Sequence, residues 1–127
     1  MVSGKRSIFR GDVYFASFSN STGDEIRGTH PIVIIQNDTG NLYSGTVIGV
    51  VLTSTKKKEN MPTHVALEEP GSPCDGAMAM AEQIFTIDKQ RLQGYVCHLS
   101  EMSMTRVDEA VRQSLALNNK EPTLASS

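Results

Sequence analysis

Short apolar segments separated by turn-forming residues constrain the fold of this chain more than any other feature. Each is short and rich in β-branched or aromatic residues, which is typical of strands in a small sheet and too short for a typical helix. The predicted strands are 13–18, 31–36, 46–53, 63–67, 77–86 and 95–99. The segment 31–36 is apolar at almost every position, so we expect a central strand that is buried on both faces. Gly49 marks a possible bulge in the next strand.

One amphipathic helix follows the strands. Ser100 is a typical N-cap residue, and the helix is predicted over 101–117. The apolar residues that recur at helical spacing are Met104, Val107, Val111 and Leu115. Between the strands we predict a loop at 19–29, turns at 37–41 and 68–75, and a short helical turn at 87–92.

The chain of 127 residues is long enough for one domain, 1–127, with an ordered core of about 8–117 and a polar tail at 118–127. Several short strands that close on themselves, with one helix packed across them, predict an α+β fold, a small β-barrel with a C-terminal amphipathic helix.

Composition limits the function classes. The net charge of −2 argues against a protein that coats nucleic acid by charge alone, and the run 56–58 of three lysines is typical of a solvated loop. Cys74 and Cys97 lack C-x-x-C spacing, so we expect two reduced thiols in or near the core and no cofactor. Because no apolar run is long enough for a membrane span, and no signal peptide is evident, we expect a soluble cytoplasmic protein.

A charged loop that leads into the strand at 31–36 contains the candidate catalytic side chains. Glu25, Arg27 and His30 lie within six residues of one another, immediately before Pro31. A carboxylate, a guanidinium and an imidazole are the groups that proton transfer and phosphate chemistry require. Glu25 is a candidate base, although a carboxylate in a polar loop also occurs as a solvated or structural group.

Several segments together resemble the MazF/PemK toxin family. The matching segments, in order, are 10–14, 25–31, 35–38, 46–48 with Thr53, 62–65, 82–84 and 86–92. The resemblance runs from about residue 10 to 117 and implies an SH3-like barrel of the CcdB/PemK type. It also implies a homodimer that cuts single-stranded RNA at short sequences without a metal and is neutralised by a cognate antitoxin. The products would be a 2′,3′-cyclic phosphate or 3′-phosphate and a 5′-hydroxyl.

His30 departs from the family pattern, which has a catalytic arginine immediately before the loop-ending proline. His30 can give or accept a proton near neutral pH, or it can be a neutral replacement that leaves the phosphate under-stabilised. The catalytic threonine of the family falls on Thr53, where a hydroxyl suits a phosphate oxygen, although an ordinary strand residue is the alternative. The resemblance therefore gives His30, Thr53 and Glu25 as the catalytic set.

Other positions are candidates for RNA binding. They are Arg27, Thr29, Ser54, His64, Glu82 and Gln83. His64 and Gln83 match family positions near the RNA groove, where base edges of single strands are open to hydrogen bonding, although a structural role is equally compatible with each. The three histidines lack zinc-site spacing, and Met78 and Met80 suit the core or a dimer contact.

A second function class stays open at this point. A barrel of this type can act by binding alone, as an inactive relative that binds an antitoxin or another macromolecule without cutting RNA. Thr53 and Glu25 favour the nuclease, whereas His30 favours the loss of catalysis.

Overall fold

The computed structural model describes residues 6–18, 27–54 and 61–117. Six strands and two helices follow one another along the chain. They are β1 (Asp12–Phe18), β2 (Gly28–Ile34), α1 (Asp38–Tyr43), β3 (Thr46–Thr53), β4 (His64–Ala66), β5 (Met78–Asp88), β6 (Leu92–His98) and α2 (Glu101–Leu115), with a 3₁₀ turn at Lys89–Arg91 before β6. The α+β prediction is confirmed.

The strands form one antiparallel sheet in the order β4-β5-β3-β2-β1-β6. β2 lies in the interior of the sheet, and its residues Ile32, Val33 and Ile34 are all buried, as the continuous apolar run predicts. β4 and β6 are the two edges, and no backbone ladder joins them within the described part of the chain.

Each face of the sheet carries its own apolar cluster. One cluster is covered by α2 and includes Val33, Val50 and Val107. The other, which we call the Phe18 face, includes Phe18, Ile32 and Val51. Because successive strand residues point to opposite faces, a central strand with both faces buried supplies apolar residues to both clusters.

Helix α2 begins where the sequence predicts, since the Ser100 side chain accepts a hydrogen bond from the Ser103 amide at 3.2 Å. It ends two residues early, because Ala116 adopts a left-handed conformation that stops the helix. Leu115 lies in the last turn, and its side chain is 52% exposed. None of the helices that the structure describes is long and apolar enough to cross a membrane.

Two local predictions are also wrong. The turn expected at 37–41 is helix α1, because Asn37 accepts a hydrogen bond from the Gly40 amide and acts as an N-cap rather than as a turn residue. The register shift between β3 and β5 falls between Val50 and Val51 and not at Gly49. Gly49 instead gives room to Ile32, whose Cδ1 lies 2.8 Å from the point that a Cβ would occupy.

The cysteines are not reduced thiols: Cys74 and Cys97 form a disulfide. Both are buried, as expected, but the loop that follows β4 brings Cys74 to β6. The bond therefore links the loop after one edge strand to the strand at the opposite edge, a proximity that no local spacing signals.

Candidate active site

The β2 and β3 strands bring His30 and Thr53 to the same level of the sheet. The two strands are antiparallel, with Ile32 opposite Val51. Continuing that register by two residues places His30 level with Thr53 on the neighbouring strand. Because alternate residues share a face, both belong to the Phe18 face with Ile32 and Val51. The extended register thus aligns an imidazole and a hydroxyl that lie 23 positions apart in sequence.

The His30 side chain is half-buried and held in a defined orientation. Its Nε2 lies 2.5 Å from the carbonyl oxygen of Arg27, and its ring centroid lies 6.1 Å from that of Phe18. A carbonyl oxygen only accepts, so Nε2 carries a proton. In the neutral ring Nδ1 is then an acceptor, and in the imidazolium it is a second donor, so proton transfer at this residue uses Nδ1.

An irregularity in β5 lies beside the end of β3. Val50 pairs with Ile84 and Val51 pairs with Met80, so the intervening residues of β5 bulge out of the ladder. Glu82 and Gln83 are in this bulge. Bulges often turn side chains toward a site, and this one explains why a charged residue and an amide interrupt an otherwise apolar strand.

Glu82 is hydrogen-bonded to His64, whose Nε2 lies 2.9 Å from its Oε2. Burial raises the pKa of the Glu82 carboxyl. The hydrogen bonds that the carboxylate accepts from His64 and from the backbone amide of Glu82 itself outweigh burial and leave the pKa below its usual value. The side chain of His64 is only 6% exposed and that of Glu82 is 38% exposed. Glu82 is therefore the member of the pair that a ligand can contact, and the buried His64 orients the Glu82 carboxylate.

The remaining predicted residues surround this region. Arg27 and Thr29 are exposed at the start of β2, and Ser54 is exposed just after β3. Glu25 lies outside the described residues. His98 is at the far end of β6, where its Nδ1 lies 2.7 Å from Oδ1 of the buried Asp12, so the three histidines stand on three different strands.

Two aromatic residues of the site were not predicted from sequence. Phe18 and Phe85 pack edge to face, with ring centroids 5.0 Å apart, and Phe18 is also the ring that lies next to His30. Phe18 is the last residue of β1 and directly precedes the loop predicted at 19–29. That position was the one sequence feature that could have indicated its place in the site. Edge-to-face packing holds both rings in a defined orientation on the Phe18 face.

Comparison with known proteins gives concordant results. Residues 9–115 match the family described as PemK-like, MazF-like toxin of type II toxin-antitoxin system. The chain is 48% identical over 113 residues to the endoribonuclease MazF of Staphylococcus epidermidis, an alignment that covers 88% of this chain and 94% of that protein.

Solved structures share the fold. A mycobacterial endoribonuclease in complex with its cognate antitoxin is 28% identical, with a TM-score of 0.73 over 87% of this chain and 96% of that one. MazF from Deinococcus radiodurans is 17% identical, with a TM-score of 0.75 over 88% of this chain and 99% of that one, a likeness that concerns the fold alone.

Proposed function

The chain belongs to the PemK-like, MazF-like toxin family of type II toxin-antitoxin systems, and we propose that it is an endoribonuclease that cuts single-stranded messenger RNA. The observation that supports this most directly is the register of β2 and β3, which, extended by two residues beyond the Ile32–Val51 pair, aligns position 30 with position 53. The similarity to an endoribonuclease over nearly its whole length supports the same reaction.

Cleavage proceeds through the RNA 2′-hydroxyl. A base removes its proton, the resulting alkoxide attacks the adjacent phosphorus, and the bond to the 5′-oxygen breaks as that oxygen takes a proton. The products are a 2′,3′-cyclic phosphate, which water can open to a 3′-phosphate, and a 5′-hydroxyl. No metal takes part in this proposed scheme.

Each predicted catalytic residue has a role in that scheme. Glu25 acts as the base, and His30 supplies a proton or a hydrogen bond through Nδ1, since Nε2 is held by the Arg27 carbonyl. Thr53 donates its hydroxyl to a non-bridging phosphate oxygen. Arg27 contributes positive charge from the exposed start of β2, and it offsets in part the absence of a fixed guanidinium at position 30.

RNA contacts extend across the bulge in β5. Glu82 and Gln83 offer an acceptor and an amide to base edges, while Thr29 and Ser54 offer hydroxyls at the margins. His64 acts on RNA through Glu82, because it is the buried member of the pair.

The assembly we propose is a homodimer that a cognate antitoxin neutralises in the cytoplasm. A second subunit would deepen the open groove of the site, and an antitoxin segment that orders on binding would compete with RNA for it. Homologous structures with an antitoxin support this assignment.

The test is RNA cleavage by the purified protein in EDTA. We expect defined cuts with 5′-hydroxyl ends, and a loss of about a hundredfold in rate for Thr53→Val, the usual cost of one transition-state donor. The matched control is Thr86→Val, which changes an exposed threonine elsewhere on the sheet and should retain activity. Equal rates for Thr53→Val and the unchanged protein would contradict the proposed role of Thr53.

One observation favours a second function. The histidine at position 30 lacks the bidentate geometry with which arginine binds phosphate. The alternative is a protein that binds an antitoxin or another macromolecule without cutting RNA. RNA that stays intact, together with tight binding of an antitoxin peptide, would establish that function instead.

A further inference from the structure

A cavity of about 680 Å³ opens on the flank of the sheet, well away from Thr53, and has no role in the cleavage scheme. It lies between the N-terminal segment, α1 and β6. Its walls include the rings of Tyr14, Tyr95 and Phe9, with cations from Arg6 and Lys89. We call it the Tyr14 pocket. Its volume is in the range of pockets that bind small organic groups.

Tyr14 contributes a buried hydroxyl to the wall of this pocket. The residue is only 6% exposed, and its hydroxyl makes no hydrogen bond of good geometry. Burial raises the pKa of Tyr14, and the contact of its hydroxyl with the Arg6 guanidinium offsets that rise in part. A buried hydroxyl without a partner is costly, and such groups usually serve a ligand or an ordered water. Tyr14 lines the pocket, so a ligand that displaces the Arg6 guanidinium would reach this hydroxyl.

Aromatic and cationic groups are combined in the same wall. Tyr95 is 39% exposed, and the guanidinium carbon of Arg6 lies 3.7 Å from its ring centroid. Lys89 donates to the Asn41 carbonyl oxygen at 2.5 Å, which leaves its other N–H groups for an anion. The acidic member of the lining, Asp38, already accepts hydrogen bonds from the Arg10 amide and from Asn41. The pocket therefore favours an anion that carries a flat ring.

One strand, β1, separates the pocket from the His30 strand of the candidate active site. Ala16 on β1 pairs with His30 on one side and with Leu92 on the other, so the backbones of His30 and Leu92 lie roughly 10 Å apart. Leu92 also lines the pocket and packs against the Phe18 face. Arg91 bridges the interval, since its Nη1 donates to the Ser17 carbonyl oxygen at 3.5 Å. A few nucleotides of extended RNA would span this distance.

We propose that the Tyr14 pocket is an additional RNA subsite, which binds a nucleotide of the substrate strand outside the segment that is cut. A base takes the place of the Arg6 guanidinium over the Tyr95 ring, and the hydroxyl of Tyr14 hydrogen-bonds to the nucleotide. Arg6, displaced from the ring, and Lys89 neutralise phosphate. This rests on the proposed RNA substrate. The combination of stacking rings with backbone-tracking cations is the one that single-strand binding proteins use, and the charge of the lining is opposite to that of RNA.

The test measures binding without cleavage. Long single-stranded 2′-O-methyl RNA lacks the nucleophile, and its affinity can be measured by fluorescence anisotropy in EDTA. Tyr14→Phe should weaken binding about five- to tenfold, the value of one hydrogen bond. The same variant should keep its thermal stability, because Arg6, which contacts the hydroxyl, is an exposed residue whose hydrogen bonds water can replace. That pair of results distinguishes a binding role from a structural one.

Arg6→Gln provides an independent measurement. The slope of log affinity against log salt concentration should fall by about 0.7, the value for one phosphate contact on a single strand. The matched control is Arg112→Gln, which removes an exposed cation of α2 that pairs with Glu109 and should leave the slope unchanged. An oligonucleotide too short to reach beyond the cut site should bind all variants equally.

The outcomes separate this proposal from the proposed function. If natural RNA is cut but Tyr14→Phe and Arg6→Gln bind long RNA as tightly as the unchanged protein, the subsite is refuted and the nuclease stands. If natural RNA stays intact while both variants lose affinity for the 2′-O-methyl strand, the subsite stands without the nuclease. Variants that lose affinity for an antitoxin peptide and not for RNA would assign the pocket to that peptide and overturn the proposal.

Discussion

Reduction of the Cys74–Cys97 disulfide should lower the free energy of unfolding by about 3 kcal/mol. The bonded residues are separated by 23 positions, and closing a loop of that size in the unfolded chain gives roughly this value from lost chain entropy. The change is a large part of the roughly 5–15 kcal/mol that stabilises a typical domain. It should lower the urea midpoint by about 1–2 M.

The assay is urea unfolding followed by circular dichroism, with and without dithiothreitol, at one fixed protein concentration so that any association of subunits is held constant. The control is the double variant Cys74→Ala/Cys97→Ala, whose midpoint should not respond to dithiothreitol. Equal midpoints for the oxidised and reduced protein would refute the reasoning. The result also bears on the cell, because cytosolic thiols are normally kept reduced.

Two further predictions follow from buried contacts. Burial raises the pKa of Glu69, but hydrogen bonds from the serines at the start of α2 outweigh burial and leave the pKa below its ordinary value. Ionised Glu69 therefore stabilises the fold fully at any pH above the ordinary pKa of a glutamate. This stabilisation is lost as the pH falls through the lowered pKa. Glu69→Gln should therefore lower the free energy of unfolding by about 1–3 kcal/mol in urea at neutral pH, and the variant should lose less stability in acid. The Glu69 carboxylate accepts hydrogen bonds of 2.8 and 3.0 Å from Ser100. A variant with unchanged stability would contradict the role of these two bonds. Gly49→Ala should destabilise the fold by about 1–3 kcal/mol, because the added Cβ would clash with the Ile32 side chain. A melting temperature equal to that of the unchanged protein would contradict this, since it would show that Ile32 can move aside without cost.

The strands were predictable where the sequence is continuously apolar and ends at turn residues. β3 has the predicted bounds, Thr46–Thr53, for that reason. β2 begins earlier than predicted, at Gly28, because exposed polar residues can pair with β1 as readily as apolar ones, and hydrophobicity does not mark that part of the strand. The helix α1 was missed because the residues that cap a short helix are the same types that form turns.

The candidate site was less accessible to sequence reasoning. The loop before Pro31 is visible as a cluster of charged groups, but the partnership of His30 with Thr53 depends on strand register, which a single sequence does not specify. The resemblance to the toxin family supplied Thr53. The disulfide depends on a loop that brings Cys74 across to β6, and nothing in the spacing of the two cysteines indicates that contact.

The most direct test of the central claim, that His30 and Thr53 form the RNA-cutting centre, compares three proteins in one cleavage assay. The unchanged protein, His30→Arg and His30→Ala are each incubated with a long RNA in EDTA. We expect His30→Arg to cut faster, because a guanidinium binds phosphate in two places, and His30→Ala to cut about a hundredfold more slowly than the unchanged protein. Equal rates for all three would show that the side chain at position 30 does not act on the phosphate and would contradict the proposed centre.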